Sequence, residues 1–416
     1  MANCYISGSY IASLHPFVPR KPSPSSSRFP NLITCSSSSS ISQFNKEKEK
    51  SRNTNRMFML GFGYVAQFFA KELKKDNNWE IIGTCTSTMK KKKLEDMGFD
   101  VQLFDAHDKE LRSLTSLVDA THLLVSIPPV VGLGDPVLYQ HRDLLQSQLC
   151  NGTLQWLCYL SSTSVYGECG GAWVDEDYPV IPTSSSAKSR LVAEKGWLGL
   201  CHDLGLSLQV FRLGGIYGPG RSALDTIMKH GSLTESQRMR AIKQYTSRVH
   251  VADICQALKA SIGTSLPGRI YNIVDDDPAS RAEVFAFAQT LIEKKWPGKM
   301  KHSTFMSGSV GPQKILQGEK RVSNARLKDE LGVKLIHPTY RSGLGSIIES
   351  IDRTGPGPGP RHEISRISES PSARAFLICE VGLRNSLREE RQYVATHING
   401  SETGLATDGS ISMMNK

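Results

Sequence analysis

The segment LGFGYVA sets Gly61, Gly63 and Ala66 at the spacing Gly-x-Gly-x-x-Ala. In such a turn the first glycine lets the chain reverse, and the second lets backbone N–H groups approach a pyrophosphate at the start of the next helix. Glycine also serves strand-to-helix turns for steric reasons alone, so the flanking elements decide its meaning. The next apolar run ends in GTCTST, with Thr86 at its tip 23 residues beyond Gly63 and no Asp or Glu there to grip an adenosine ribose. Thr86 and Ser87 offer hydroxyls to a 2′-phosphate, and Lys90 or Lys91 offers charge; the arginine usual for that task is absent. The pattern predicts a dinucleotide cofactor, with NADP favoured over NAD.

These residues need a strand before the glycines and a helix after them, and the chain supplies both. MFMLGFG reads as a strand entering the turn and VAQFFAKELKK as the helix leaving it. EIIGTCT, VQLFDA, THLLVSIPP, QWLCYLSST and LQVFRLGG read as further strands, with helices near 89–98, 139–150 and 187–204. Alternation of this kind predicts an α/β fold, a doubly wound Rossmann parallel sheet with a smaller discontinuous substrate domain. The expected division is an arm at 1–55, an NAD(P)-binding domain at 56–212, substrate regions at 213–249 and 279–352, a return to the sheet at 250–278, and a disordered tail at 353–416.

With those motifs placed, YLSSTSVYG (159–167), FRLGGIYGPGR (211–221), RVHVADI (248–254) and YNIVDDDPASRAEVF (271–285) together resemble the extended short-chain dehydrogenase/reductases. The similarity spans about residues 57–351 and is nearest the atypical, nucleoside-diphosphate-sugar epimerase-like members, of plant plastid type. The resemblance implies that Ser162 polarises a substrate oxygen and that a Tyr-x-x-x-Lys helix follows. Here SAKSRLVAE puts Ser186 in the tyrosine position and Arg190 in the lysine position, with Glu194 keeping the register. An alignment on Lys188 puts Ser184 in the tyrosine slot instead, and neither recovers a tyrosine.

A phenol with a pKa of about 10 can be tuned to give and take a proton, and a serine hydroxyl cannot. Losing general acid–base catalysis costs roughly 10²- to 10⁴-fold. Arg190 keeps its charge and can still hold the nicotinamide ribose. Tyr166, Tyr178, Tyr217 and His250 are alternative acids, but Tyr166 and Tyr217 also read as packing residues and His250 as a core residue. Arg212 and Arg221 flank the glycine-rich segment that the resemblance places at the substrate cleft, with Arg221 facing an anionic substrate group; Lys320 and Arg321 form a weaker anion site.

The formal charge of +10 does not imply nucleic acid, because residues 1–55 carry seven Lys/Arg against Glu47 and Glu49. The first 46 residues hold thirteen Ser and no Asp or Glu, the composition of a transit peptide, and lean to a plastid stroma. Nine cysteines without a Cys-x-x-Cys pair imply a reduced compartment and no structural metal. Apolar runs fall short of the roughly 20 residues of a membrane span. The expectation is a small-molecule enzyme, with no membrane or nucleic-acid partner and with a homodimer left open. Its step is redox or epimerase-type, on a small polar, phosphorylated or nucleotide-linked substrate. A non-catalytic cofactor-bound scaffold or redox-sensing protein is the alternative.

Overall fold

The computed structural model describes residues 54–106, 114–150, 154–228, 243–264, 266, 268–298 and 319–351. The expected transit peptide, apart from its last two residues, and the expected tail lie outside them.

Seven parallel strands make the central sheet: β1 (Asn55–Leu60), β2 (Trp79–Cys85), β3 (Asp100–Leu103), β4 (His122–Val125), β5 (Trp156–Ser162), β7 (Leu208–Leu213) and β10 (Ile270–Ile273), in the order β10-β7-β5-β4-β1-β2-β3. The chain winds outward from β1 to β3 and then returns to β4 on the other side of β1, with Phe58 beside Leu123. Ligands of open α/β sheets bind at that reversal, beyond the carboxyl ends of the strands. Every residue of β4 and of β7 is buried, as expected of strands covered on both faces.

Alternation along β1 divides the core. Met57 and Met59 pack with Phe69 of α1 (Tyr64–Leu73) and Leu258 of α6 (Val251–Ile262), while Phe58 and Leu60 pack with Leu145 of α3 (Pro136–Leu149) and Trp197 of α4 (Ser185–Asp203). The helices expected near 89–98, 139–150 and 187–204 are α2 (Thr88–Asp96), α3 and α4. A further core joins Tyr217, Leu224, Phe285 and Leu344, contributed by β8 (Gly215–Tyr217), α5 (Ala223–Met228), α7 (Arg281–Lys295) and α9 (Tyr340–Ser350). Two short parallel pairs, β8 with β9 (Arg248–His250) and β6 (Trp173–Val174) with β11 (Arg321–Val322), form separate two-stranded sheets that join segments far apart in the chain; α8 (Ala325–Leu331) packs near β10.

His122, buried in β4 against Trp79, is held neutral by burial, which lowers its pKa to about 4. Because the unfolded imidazole titrates near 6.5, the unfolded chain binds the extra proton between pH 6.5 and 4, and the stability this residue contributes is lost as pH falls through that window. His122→Phe keeps a ring in place and removes the proton site. It is expected to lessen the fall in unfolding free energy between pH 7 and pH 5 by about 2 kcal/mol, read from urea titrations of both proteins at each pH. Equal falls would overturn this account of His122.

Candidate active site

The site begins where β1 ends. Gly61 has φ +90°, and a Cβ there would stand 2.8 Å from Ile127 Cγ1 and 3.2 Å from the Ile127 backbone nitrogen, so only glycine fits. The turn is held from both neighbouring strands. Gly61 N–H donates to Thr84 Oγ1 (2.8 Å), Phe62 N–H donates to Thr84 O (2.7 Å), and Ser126 Oγ donates to Gly61 O (2.5 Å). Gly63 is the N-cap of α1 and supplies no side-chain cap. The other described helices of nine or more residues are capped by Ser87, Asp135, Ser184, His250, Ser280 and Thr339. Thus the amides of α1's first turn, with the positive end of its dipole, are left for an anion. Ala66 lies fully buried beneath them, letting α1 sit close on the sheet.

Gly63, Tyr64 and Val65 form one wall of a cavity of about 770 Å³. Its other walls include Ser126, Ser162 and Arg190, the 213–223 segment with Arg221, and Arg248, Arg281 and Tyr340 from beyond the sheet. Four arginines against one carboxylate, Asp225, give this cavity a positive lining. Arg248 is buried, donates to Thr246 Oγ1 (2.6 Å) and Ala279 O (2.7 Å), and lies against the Tyr340 ring. Sequence reasoning missed Arg248, Arg281, Tyr340 and the cavity face of Tyr64. Arg248 and Tyr64 sit inside segments already singled out, RVHVADI and GFGYVA, where attention fell on His250 and on the glycines.

The structure brings Ser162, Arg190 and Arg221 to one cavity, and leaves Ser186 out of its lining. Ser186 is exposed in the first turn of α4, four residues or about 6 Å along the axis from Arg190, and a serine side chain is too short to make up the difference. Ser184, the alternative, caps α4 by accepting from Ala187 N–H (3.2 Å). Lys188 is exposed.

Thr86, Ser87 and Lys90 are exposed just past β2 and do not line the cavity. Ser87 Oγ is already accepting from Lys90 N–H as the cap of α2. Lys91 reaches Val101 O and pairs with Glu95, which leaves Lys90 the better placed of the two to supply charge.

The alternative acids have structural work. Tyr166 Oη donates to Asn272 Oδ1 (2.8 Å) and accepts from Arg212 (3.0 Å); Tyr217 donates to Thr339 O (3.4 Å); Tyr178 is partly buried against the small core that holds Val165, Tyr166 and Val174. His250 caps α6 through Nδ1 and is lowered to about 4 by burial and by the neighbouring His337. The three tyrosines on the cavity wall, Tyr64, Tyr217 and Tyr340, are all raised above the ordinary phenol value, chiefly by burial, so none is poised to release a proton near neutrality.

Two expected anion-binding side chains, Lys320 and Arg321, are corrected, and Arg212, which flanks the glycine-rich segment, also stands apart from the cavity. Arg212 is buried away from the cavity and paired with Glu194 (2.5 Å). Lys320 is buried and donates to Gly167 O (2.7 Å). Arg321 donates to Gly171 O (2.8 Å) and is flanked by the rings of Trp173 and Tyr245.

No family model matches the chain. Protein YeeZ of Escherichia coli K12 is 26% identical over 290 residues, which cover 68% of this chain and 96% of YeeZ. The UDP-glucuronic acid 4-epimerase of Bacillus cereus, solved in complex with NAD, shares the fold at 18% identity with a TM-score of 0.53, over 71% of this chain and 98% of that one. A conserved protein of unknown function from Silicibacter pomeroyi is 34% identical, with a TM-score of 0.56, over 71% of this chain and 98% of that one. At that identity and coverage the chain belongs to the same family as the Silicibacter protein, on the Rossmann fold of the NAD-dependent epimerase/dehydratase-like proteins.

Proposed function

We propose that the protein binds NADP in preference to NAD and carries out a slow redox or epimerase-type step on a small polar substrate bearing an anionic group, phosphorylated or nucleotide-linked. The observation that carries the reading is the uncapped first turn of α1 opening into the same cavity as Ser162, Arg190 and Arg221. The fit to a dinucleotide rests on that cradle, where Gly63 leaves open space: a Cβ there would meet nothing within 4 Å. Amides 64–66 would hold the pyrophosphate, Arg190 the nicotinamide ribose, and Lys90 with Thr86 a 2′-phosphate. When bound, such a cofactor supplies hydride transfer.

The chain's own part is to orient. Ser162 Oγ accepts from Ser164 N–H (3.2 Å), which fixes the oxygen and leaves its proton to donate to a substrate carbonyl or hydroxyl. Arg221, exposed at the cavity's edge, offers two parallel donors to a phosphate or carboxylate. With no tuned phenol at the tyrosine position, proton transfer falls to substrate or solvent, which costs roughly 10²- to 10⁴-fold in turnover. That same gap favours a second reading, a cofactor-bound binding protein without turnover. Import into a plastid belongs to the proposal and rests on the acid-free, Ser-rich first 46 residues.

Titration of the full chain with NADPH and NADH, followed by nicotinamide fluorescence, tests the reading. NADPH is expected to bind at micromolar concentration and NADH about tenfold more weakly, and Lys90→Ala to reduce the difference about fivefold, as fits one exposed charge on a phosphate. Equal affinities would remove the NADP preference; binding of neither would remove both readings.

A further inference from the structure

Tyr64 opens α1 directly after Gly63, so its backbone belongs to the proposed phosphate cradle while its side chain reaches the opposite wall of the cavity. Its Oη donates to Pro219 O (3.1 Å). The Arg221 guanidinium lies over its ring, 5.5 Å from the centroid, and Phe68, one turn along α1, packs against the ring at 4.9 Å. The segment it touches is a closed turn: Gly218 N–H donates to Arg221 O (3.1 Å) and Arg221 N–H to Gly218 O (3.0 Å). A hold on the Pro219 carbonyl is therefore a hold on the turn that carries Arg221. The approach is close enough to require glycine at 218, where a Cβ would stand 2.6 Å from both Tyr64 Oη and Val251 Cγ1. Beyond the turn, Ser222 Oγ donates to Asp225 Oδ2 (2.5 Å) and so joins it to the start of α5.

We infer that Tyr64 is a positioning residue that couples the cofactor half of the site to its substrate half, by tying the 218–221 turn to the first turn of α1. This rests on the function proposed above and adds a regulatory consequence to it. Fixing the α1 turn with a cofactor phosphate fixes the base of Tyr64. The ring and hydroxyl pass that order to Pro219 and Arg221, and the anionic substrate then meets an arginine whose ordering cost has already been met. Burial keeps the phenol protonated, so the latch persists across the neutral pH range.

Hydrogen–deuterium exchange of the full chain with and without saturating NADPH tests this, because it reads the two segments separately. In the wild type, NADPH is expected to slow exchange at 61–66 and to slow the amides of 218–222 about fivefold or more. In Tyr64→Leu the first effect persists and the second disappears. Tyr64→Phe, which keeps the ring under Arg221 and loses only the hydrogen bond, is expected to transmit about half of the protection, and serves if the leucine variant fails to fold. A merely structural role for Tyr64 would raise exchange in both segments with or without NADPH and leave the NADPH-dependent difference intact. Undiminished protection of 218–222 in both variants, or protection in the wild type confined to 61–66, overturns the inference alone. Protection of neither segment in the wild type overturns the cofactor reading and this inference together.

Discussion

Glu194→Ala is expected to lower the unfolding free energy by about 3–5 kcal/mol, the cost of leaving a buried charge without its partner. Glu194 lies midway along α4 with its side chain 2% exposed, and the Arg212 side chain, reaching it from β7, is 4% exposed. The carboxylate accepts from Arg212 Nη2 at 2.5 Å and Nε at 3.3 Å, and also from Ser161 Oγ at 2.7 Å. Without it the guanidinium keeps, among the described residues, hydrogen bonds only to the Tyr166 hydroxyl (3.0 Å) and, at long range, to Glu176 O (3.5 Å). Burial alone works to lower the Arg212 pKa, and the bonds and charge of Glu194 outweigh it and raise it. Because the pair is out of water, the loss should be nearly independent of salt, unlike that of a surface ion pair. Glu194→Leu combined with Arg212→Met should recover part of the loss, since no unpaired charge remains. Urea unfolding at low and high ionic strength measures all of this; a cost under about 1 kcal/mol would mean that the pair contributes no more than an exposed one. Ser161 precedes Ser162, so the same network also fixes the end of β5 on which the proposed polarising hydroxyl stands.

That pair also marks how far the sequence could be read. Glu194 was legible only as a marker of register, and Arg212 only as a neighbour of the glycine-rich segment. Nothing in either local pattern says that α4 and β7 turn the two side chains toward each other. Six of the seven sheet strands were legible as separate runs, and β10 as a return to the sheet, for a physical reason: β4 and β7 are buried throughout and β5 nearly so, and α1 and α6 carry an apolar stripe. The parallel pairs β6–β11 and β8–β9 are two and three residues long, and β6 and β11 lie almost 150 residues apart, so no periodicity announces them. The cavity follows the same rule. Gly61 and Gly63 were legible because a local turn demands glycine, and Ser162 and Arg190 because a resemblance pointed to them. Arg281 and Tyr340 arrive from α7 and α9, elements whose own sequence shows only a helix start.

Substitution of the two glycines should separate fold from cradle, and the expected effect on cofactor affinity is large for both. In Gly61→Ala the new Cβ meets Ile127 at 2.8 Å and Ser126 Oγ at 3.3 Å, in a backbone conformation that costs an L-residue about 1–3 kcal/mol. The turn is pinned to Thr84 on one side and Ser126 on the other, so relief means pulling it off β2 or β4 and moving the amides of α1 with it. Stability and NADPH affinity should fall together, the affinity by roughly 100-fold if about 3 kcal/mol of phosphate contact is lost. Gly63→Ala differs in kind. Its φ of −82° suits any residue, and its Cβ meets no protein atom within 4 Å. The fold should keep its unfolding midpoint, while the methyl group enters the space where a pyrophosphate would approach the helix, and affinity should fall by a comparable factor. Thermal melting paired with the fluorescence titration distinguishes the two cases. Wild-type NADPH affinity in Gly63→Ala would mean that the open space at the start of α1 is not where the phosphates lie, and the proposed function would lose the observation on which it stands.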